Sequence, residues 1–149
     1  MSIKIFGILS DVLLALEIII TIFFIIKKIK KPFRELLFVL ICCISAFILA
    51  TFLKKFYPYP RPLTLITNIQ KFDSFPSRHS LIASSLMTAT FYLNKKLFLL
   101  NLVLTVIIGS FRILSLYHWP HDVLAGWILG VLIAILIKNL IFNFKREVI

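Results

Sequence analysis

Three short clusters of polar residues interrupt an otherwise apolar chain, and their side chains could bind and attack a phosphoryl group. They are Lys54 with Arg61-Pro62, the run Pro76-Ser77-Arg78-His79, and Arg112 with His118 and Asp122. Charged side chains in or beside membrane-spanning segments are costly, so each one calls for a functional explanation. A guanidinium offers phosphate oxygens a planar fork, an ammonium offers a point charge, and an imidazole can act as nucleophile or acid.

The second cluster predicts an anion site at the start of a helix. Ser77 suits the N-cap position, and a helix N-terminus presents free N–H groups and a positive dipole end to an anion. Capping alone would account for Ser77, and snorkelling to lipid headgroups would account for Lys54 or Arg61 taken alone. Neither explains the Arg and the His that follow the cap, and His79 could protonate a leaving oxygen.

The third cluster has the spacing of an oriented histidine. Asp122 follows His118 by four residues, so its carboxylate can accept the imidazole N–H and raise the nucleophilicity of the other nitrogen. An interfacial His beside a first-turn Asp is the simpler alternative. His118, His121 and Asp122 could also bind a metal, but no further His, Cys or Glu lies on that side, and the nearby cations would repel it. We therefore expect no metal and no cofactor.

The composition predicts a membrane protein. The 149 residues are 60% hydrophobic, whereas soluble domains average roughly half. The net charge of +11 forms no basic stripe but falls at the ends of apolar runs and in the clusters, which argues against nucleic acid. Cys42 and Cys43 are adjacent and suit neither a disulfide framework nor a metal site. The first apolar run carries acidic residues and no cleavage site, so we expect no signal peptide.

Five apolar runs approach the length of about 17 to 25 residues that a membrane-spanning helix needs. They lie near residues 5–26, 36–53, 77–93, 97–117 and 122–142. They lack the alternation of barrel strands, so we predict an all-α membrane bundle with about five transmembrane helices in a single domain, residues 1–149. Asp11 and Glu17 in the first run are expected to pair with a cation or hydroxyl on another helix rather than contact substrate.

Basic residues in alternate connectors predict the orientation. Ten of the seventeen cations fall on one side: Lys27, Lys28, Lys30, Lys31, Arg34, Lys95, Lys96, Lys138, Lys145 and Arg146. Positive residues mark the cytoplasmic side, so the N-terminus faces out, the C-terminus faces in, and all three clusters meet at the outer face.

The motifs resemble those of the type-2 phosphatidic acid phosphatase family, membrane relatives of the vanadium haloperoxidases. That family has Lys-x6-Arg-Pro, Pro-Ser-Gly-His and Ser-Arg-x5-His-x3-Asp. This chain has Lys54-x6-Arg61-Pro62, Pro76-Ser77-Arg78-His79 and Arg112-x5-His118-x3-Asp122, in the same order, and the resemblance runs from Lys54 to the last span. It implies a haloperoxidase-like helical core and metal-free hydrolysis through a phosphohistidine. The implied roles are phosphate binding for Lys54, Arg61, Ser77 and Arg112, nucleophile for His118, its orienter for Asp122 and general acid for His79.

Three departures from the family pattern stand out. Arg78 replaces Gly, which adds a cation to the phosphate-binding set, and Phe111 replaces the Ser before Arg112, with Ser110 one residue earlier. Members often have six spans, so we expect one N-terminal helix fewer here. The nucleophile, the acid and the three matching cations are all retained.

These features predict a metal-independent lipid phosphate phosphatase, with its site facing the periplasm from the cytoplasmic membrane of a bacterium. The partners would be the membrane and a phospholipid or glycolipid phosphate. The charge of Arg78 favours a headgroup more anionic than phosphatidic acid. Family substrates would rank as lipid A 1-phosphate, undecaprenyl diphosphate, then phosphatidylglycerol phosphate. The alternative is a non-enzymatic anionic-lipid binder or small transporter subunit, although binding needs no oriented imidazole and no inverted repeat is visible.

Overall fold

The computed structural model describes residues 2–30, 32–67 and 71–142. Lys31, Lys145 and Arg146, three of the basic residues used to predict the orientation, lie outside this part of the chain. The described residues form five α-helices and no strand: α1 Ser2–Lys28, α2 Pro32–Phe56, α3 Arg78–Phe91, α4 Lys95–Leu114 and α5 Pro120–Leu140. A 3₁₀ turn, Pro62–Leu65, lies in the α2–α3 connector. The predicted all-α bundle is confirmed.

Four of the described helices are long and apolar enough to cross a membrane. They are α1 (over Ile3–Lys28), α2, α4 and α5, whose apolar stretches have 20 to 26 residues each and mean hydropathies of 2.2 to 2.9. A helix rises 1.5 Å per residue, so these lengths match the hydrocarbon core of a bilayer. The chain is therefore a multi-pass membrane protein.

The third helix differs from the predicted span at 77–93. It has 14 residues, nine of them buried, and at 1.5 Å per residue it is only about 21 Å long. It ends because Tyr92 and Leu93 donate to the Ala89 and Thr90 carbonyls in a turn. Asn94 then caps α4 by accepting from the Lys96 and Leu97 N–H groups at 3.0 and 3.1 Å. Thus α3 is an interior helix that the other four surround.

Close contact with α5 fixes the position of α3. A β-carbon added at Gly130 would lie 2.0 Å from Ser84 Oγ and 2.3 Å from the Leu81 carbonyl oxygen. One added at Gly126 would lie 2.8 Å from the Ser77 carbonyl oxygen. Two glycines four residues apart thus let the helices pack backbone to backbone, as small residues do in membrane bundles. This packing sets the starts of α3 and α5 side by side.

Polar contacts attach α1 to α4. The buried Glu17 carboxyl accepts from Thr105 Oγ1 at 3.3 Å, and Asn101 Nδ2 donates to Thr21 Oγ1 at 3.0 Å. The expectation that Glu17 pairs with a hydroxyl on another helix is confirmed. Such contacts hold α1 in register, because an unpaired polar group in the apolar interior is costly.

Candidate active site

His118 and Asp122 form the centre of the candidate site. His118 is 2% exposed and Asp122 is fully buried. His118 Nδ1 lies 3.6 Å from Asp122 Oδ2, slightly beyond direct hydrogen-bond distance. The same carboxylate oxygen accepts from Ser74 Oγ and, at 2.8 Å, from the Trp119 N–H. The carboxylate is therefore fixed on the Nδ1 side of the imidazole, which leaves Nε2 for another partner.

Burial sets the protonation state of His118. Burial lowers the pKa of His118 to about 4, a net value to which the charge of Arg112 also contributes and which Asp122 opposes. The imidazole is neutral at pH 7, as a nitrogen nucleophile must be.

The segment between α4 and α5 holds His118 in place. Leu116 has a φ of +57°, a left-handed conformation that is uncommon for a leucine, and it reverses the chain after α4. The Arg112 carbonyl accepts from Ser115 Oγ at 3.0 Å and from the His118 N–H at 3.3 Å. The Leu116 carbonyl accepts from the Leu63 N–H at 2.9 Å, which joins this segment to the 3₁₀ turn. The connector is fixed from both sides.

Ser77 caps α3 as predicted. Its hydroxyl accepts from the Ser80 N–H at 3.4 Å and from Ser80 Oγ at 2.9 Å. Its own N–H donates to the Asp122 carbonyl at 3.0 Å, so the α3 start contacts the first turn of α5. Arg78, the next residue, is exposed, and its guanidinium carbon lies 5.2 Å from the Phe47 ring centroid on α2.

One carboxylate oxygen joins His79 to Arg112. Asp11 Oδ1 lies 2.7 Å from His79 Nε2 and 3.0 Å from Arg112 Nη1. Arg112 Nη1 also donates to Ser10 Oγ at 3.0 Å. Arg112 is 6% exposed, and its Nε atom is buried without a hydrogen-bond partner among the described residues. The expectation that Asp11 pairs with a cation on another helix is confirmed.

Lys54 and Arg61 are both held by the segment before α3. Lys54 Nζ donates to the Asp73 carbonyl and, at 3.2 Å, to the Ser74 carbonyl. Arg61 Nε and Nη2 each donate to the Asp73 carboxylate at 2.8 Å. Burial by itself would raise the pKa of Asp73, but the hydrogen bonds and charge of Arg61 hold it below its usual range. The cations are thus oriented by one short segment.

The predicted site residues lie at one end of the bundle. The guanidinium carbons of Arg61 and Arg112 lie 5.4 and 5.0 Å from the Tyr117 ring centroid, so the first and third motifs share this ring. The second motif joins them through the Ser77–Asp122 contact. Arg78 alone of the predicted set points to an exposed surface on α2.

Sequence reasoning missed Asp73 and Ser74. Both lie just before the second motif, and that closeness was the only available signal, because the loop is irregular and carries no periodicity.

His121, the other histidine of the metal alternative, contacts the Asp122 carboxylate through its second oxygen. Its side chain is 54% exposed, and its Nε2 is 3.1 Å from Asp122 Oδ1. Among the residues that the structure describes, no three His, Cys, Asp or Glu side chains form a group that could hold a metal ion. Metal-free chemistry stays a prediction.

An aromatic cavity of about 350 Å³ lies beside the site. It is lined by Phe56, Tyr57, Pro58, Tyr59, Phe75 and His121. His121 contacts both the cavity and the Asp122 carboxylate. An apolar group bound there would lie next to the first turn of α5.

Comparison with solved structures shows a shared fold. LpxE of Aquifex aeolicus superposes with a TM-score of 0.72 and 21% identity, over 89% of this chain and 84% of that one. The PAP2 type phosphatidylglycerolphosphate phosphatase of Bacillus subtilis superposes with a TM-score of 0.66 and 26% identity, over 98% and 78% of the two chains.

Two curated proteins match in sequence. The bacitracin transport permease protein BcrC of Bacillus licheniformis is 33% identical over 107 residues, 68% of this chain and 53% of that protein. The undecaprenyl-diphosphatase of Sulfolobus acidocaldarius is 38% identical over 64 residues, 42% of this chain and 31% of that protein. This chain thus spans about half of the first relative and under a third of the second. The sequence model of the PAP2 superfamily matches residues 35–146, and the chain belongs to this superfamily.

Proposed function

We propose that the protein is a lipid phosphatase that transfers a phosphoryl group from a lipid to His118 and then to water. The observation that carries the proposal is the buried, neutral His118 beside the fixed Asp122 carboxylate, at the end of the bundle where the cations meet. A pure binding protein would need the cations but not a histidine held in this way.

The chemistry follows from the groups around His118. Lys54, Arg61 and Arg112 would neutralise the phosphate oxygens, with the buried Arg112 Nε atom available as a further donor. His118 Nε2 attacks phosphorus, the P–N bond forms and the P–O bond to the lipid breaks. The leaving oxygen takes a proton from His79.

The second step regenerates the enzyme. Water attacks the phosphohistidine, His79 accepts a proton from it, the P–N bond breaks and inorganic phosphate leaves. Asp122 stabilises the positive charge on the phosphorylated imidazole in both steps. This sequence uses protein side chains alone and predicts activity in the presence of chelators.

For the substrate we favour a lipid diphosphate, with undecaprenyl diphosphate first. A relative that is 38% identical over 64 residues is an undecaprenyl-diphosphatase. The motifs ranked lipid A 1-phosphate first. The similarity to LpxE does not support that ranking, because a structural match at 21% identity indicates a shared fold and not a shared substrate. The exposed Arg78 guanidinium offers a cation for a second phosphate, and the aromatic cavity offers an apolar surface for the first isoprene units.

For the location we favour the outer face of a bacterial cytoplasmic membrane. Seven described basic residues lie at or beside the helix ends opposite the site: Lys27, Lys28, Lys30, Arg34, Lys95, Lys96 and Lys138. Positive residues favour the cytoplasmic side, which puts the site on the periplasmic side. Lipid diphosphates presented there would reach it from the outer leaflet.

The test is phosphate release by purified protein from undecaprenyl diphosphate, lipid A 1-phosphate, phosphatidylglycerol phosphate and phosphatidic acid, with EDTA present. We expect the diphosphate to be hydrolysed fastest and vanadate to inhibit. His118→Ala should abolish turnover, and the matched variant His121→Ala should keep most of it. The name of the Bacillus licheniformis relative supports a transporter subunit as second candidate. No release from any lipid, or equal loss in both variants, would favour that candidate.

A further inference from the structure

Asp11 joins the site from a part of the chain outside the family match. The superfamily match covers residues 35–146, whereas Asp11 lies in α1. Its Oδ1 atom nevertheless contacts His79 Nε2 at 2.7 Å and Arg112 Nη1 at 3.0 Å. The side chain is 58% exposed, so this is not a carboxylate buried for packing alone. It lies between His79, the proposed general acid, and Arg112, a proposed phosphate ligand.

In the substrate-free site the surroundings of His79 disfavour its charged form, even with Asp11 in contact. The pKa of His79 is lowered first by burial and then by four neighbouring groups. These are Arg112 on α4, His118 in the α4–α5 connector, Arg78 on α3 and Lys54 on α2. The Asp122 carboxylate, on α5, already accepts hydrogen bonds from Ser74 Oγ and the Trp119 N–H. A general acid must carry a proton at the pH of the reaction, so it needs a neighbouring anion. Asp11 is the anion in contact with His79 in the free site, and the phosphate of a bound substrate brings further negative charge beside it.

We propose that Asp11 is a positioning residue that favours the protonated form of His79 and aims its imidazole at the leaving group. This inference rests on the proposed function in giving His79 the role of acid. Asp11 accepts the Nε2–H of the imidazolium, so the proton transferred to the leaving oxygen is the one on Nδ1. After transfer, His79 is neutral and still donates from Nε2 to the carboxylate.

The same contact orients Arg112. Ser10 Oγ and Asp11 Oδ1 both engage Nη1, at 3.0 Å each, whereas Nε stays buried and unpartnered among the described residues. Substrate phosphate can therefore use Nε without displacing α1. Asp11 thus differs from an internal competitor, which would occupy the atoms that phosphate needs.

The primary test is the protonation of His79, followed by NMR of ¹⁵N-histidine in the full chain. The chain has three histidines, so His79→Gln assigns the signal. In Asp11→Asn we expect the His79 titration midpoint to fall by about one to three pH units, the usual effect of an opposite charge in contact. Glu17→Gln, six residues along the same helix and paired with Thr105, is the matched control and should leave the midpoint unchanged.

Turnover supplies a second readout. In Asp11→Asn the alkaline limb of kcat should move to lower pH, while inorganic phosphate binding should change little, because Ser10 Oγ still holds Arg112 Nη1. General structural damage would lower kcat and weaken phosphate binding together. If Asp11→Asn does not fold, Asp11→Glu should keep the wild-type His79 midpoint, and a folded Glu variant that loses it would overturn the proposal.

Two results would contradict a positioning role. An unchanged His79 midpoint in folded Asp11→Asn would show that the carboxylate does not hold the proton. A rise in kcat/KM with an unchanged midpoint would show that Asp11 competes with phosphate. If the wild type releases no phosphate from any lipid, the proposed function fails, while the NMR midpoints still decide whether Asp11 favours the protonated form of His79.

Discussion

Replacing Asp122 with Asn tests whether a charge beside His118 is needed for catalysis. The substitution keeps the shape of the side chain, and its amide oxygen can still accept from the Trp119 N–H, as Asp122 Oδ2 does at 2.8 Å. The first turn of α5 should therefore keep its cap, whose full loss would cost about 1 kcal/mol. The variant loses the negative charge in front of His118 Nδ1.

The size of the effect follows from burial. Phosphorylation of Nε2 makes the imidazole positive, and a charge-assisted hydrogen bond formed then between Nδ1–H and Asp122, which are 3.6 Å apart in the free site, would contribute about 1.5 to 3 kcal/mol. At about 1.36 kcal/mol per factor of ten, that is roughly 10- to 150-fold in kcat. Asp122 is fully buried and His118 is 2% exposed, so water does little to screen the pair. We therefore expect a loss near the upper end of this range, about 100-fold, with KM nearly unchanged.

The assay is single-turnover phosphate release, with Ser74→Ala as the matched control. Ser74 donates to the same carboxylate oxygen, so its removal loosens the carboxylate but leaves the charge in place. We expect Ser74→Ala to cost less than about tenfold, since a neutral hydrogen bond contributes about 1 kcal/mol. A folded Asp122→Asn variant within a few-fold of wild type would refute the argument, as would equal losses in the two variants.

Three further predictions concern other parts of the molecule. Thermal stability in detergent should fall as pH drops from 6.5 to 4, because His118, with a folded pKa of about 4, is protonated in this window only when unfolded; His118 should contribute about 3 kcal/mol of the loss, and His118→Asn should remove that part. Arg78→Gly should lower kcat/KM for a lipid diphosphate about ten- to a hundred-fold more than for phosphatidic acid, and equal losses would refute the specificity role. Gly130→Val should lower Tm by several degrees, because its side chain would overlap Ser84 and the Leu81 carbonyl; an unchanged Tm would contradict this packing.

The sequence predicted those features that depend on residues close together in the chain, such as apolar helices and helix caps. Helix periodicity was not needed to find the membrane helices, because length and apolarity suffice in a bilayer. The N-cap at Ser77 followed from its place before an apolar run, and the structure confirms it. The start of α2 was less accurate, since this helix begins at Pro32, earlier than the apolar run at 36–53 suggests.

The length of α3 could not be read from the same signal. An apolar run of 17 residues suggests a crossing helix, but Tyr92 and Leu93 turn back onto α3 instead of extending it. Burial by the neighbouring helices, rather than lipid, lets Ser80, Ser84 and Ser85 lie on this helix. Whether a serine-rich helix faces lipid or protein depends on glycines in α5, far along the chain.

The partners of the cations were hidden for a related reason. Arg61 is twelve residues from Asp73 and Arg112 is a hundred and one residues from Asp11, and no local pattern connects either pair. Lone cations at an anion site would repel one another and point into solvent. The carboxylates orient their guanidinium groups before substrate arrives, which reduces the entropy lost on binding. A site built to attract phosphate therefore needs acidic residues that motifs for phosphate binding do not contain, and only the folded chain places them.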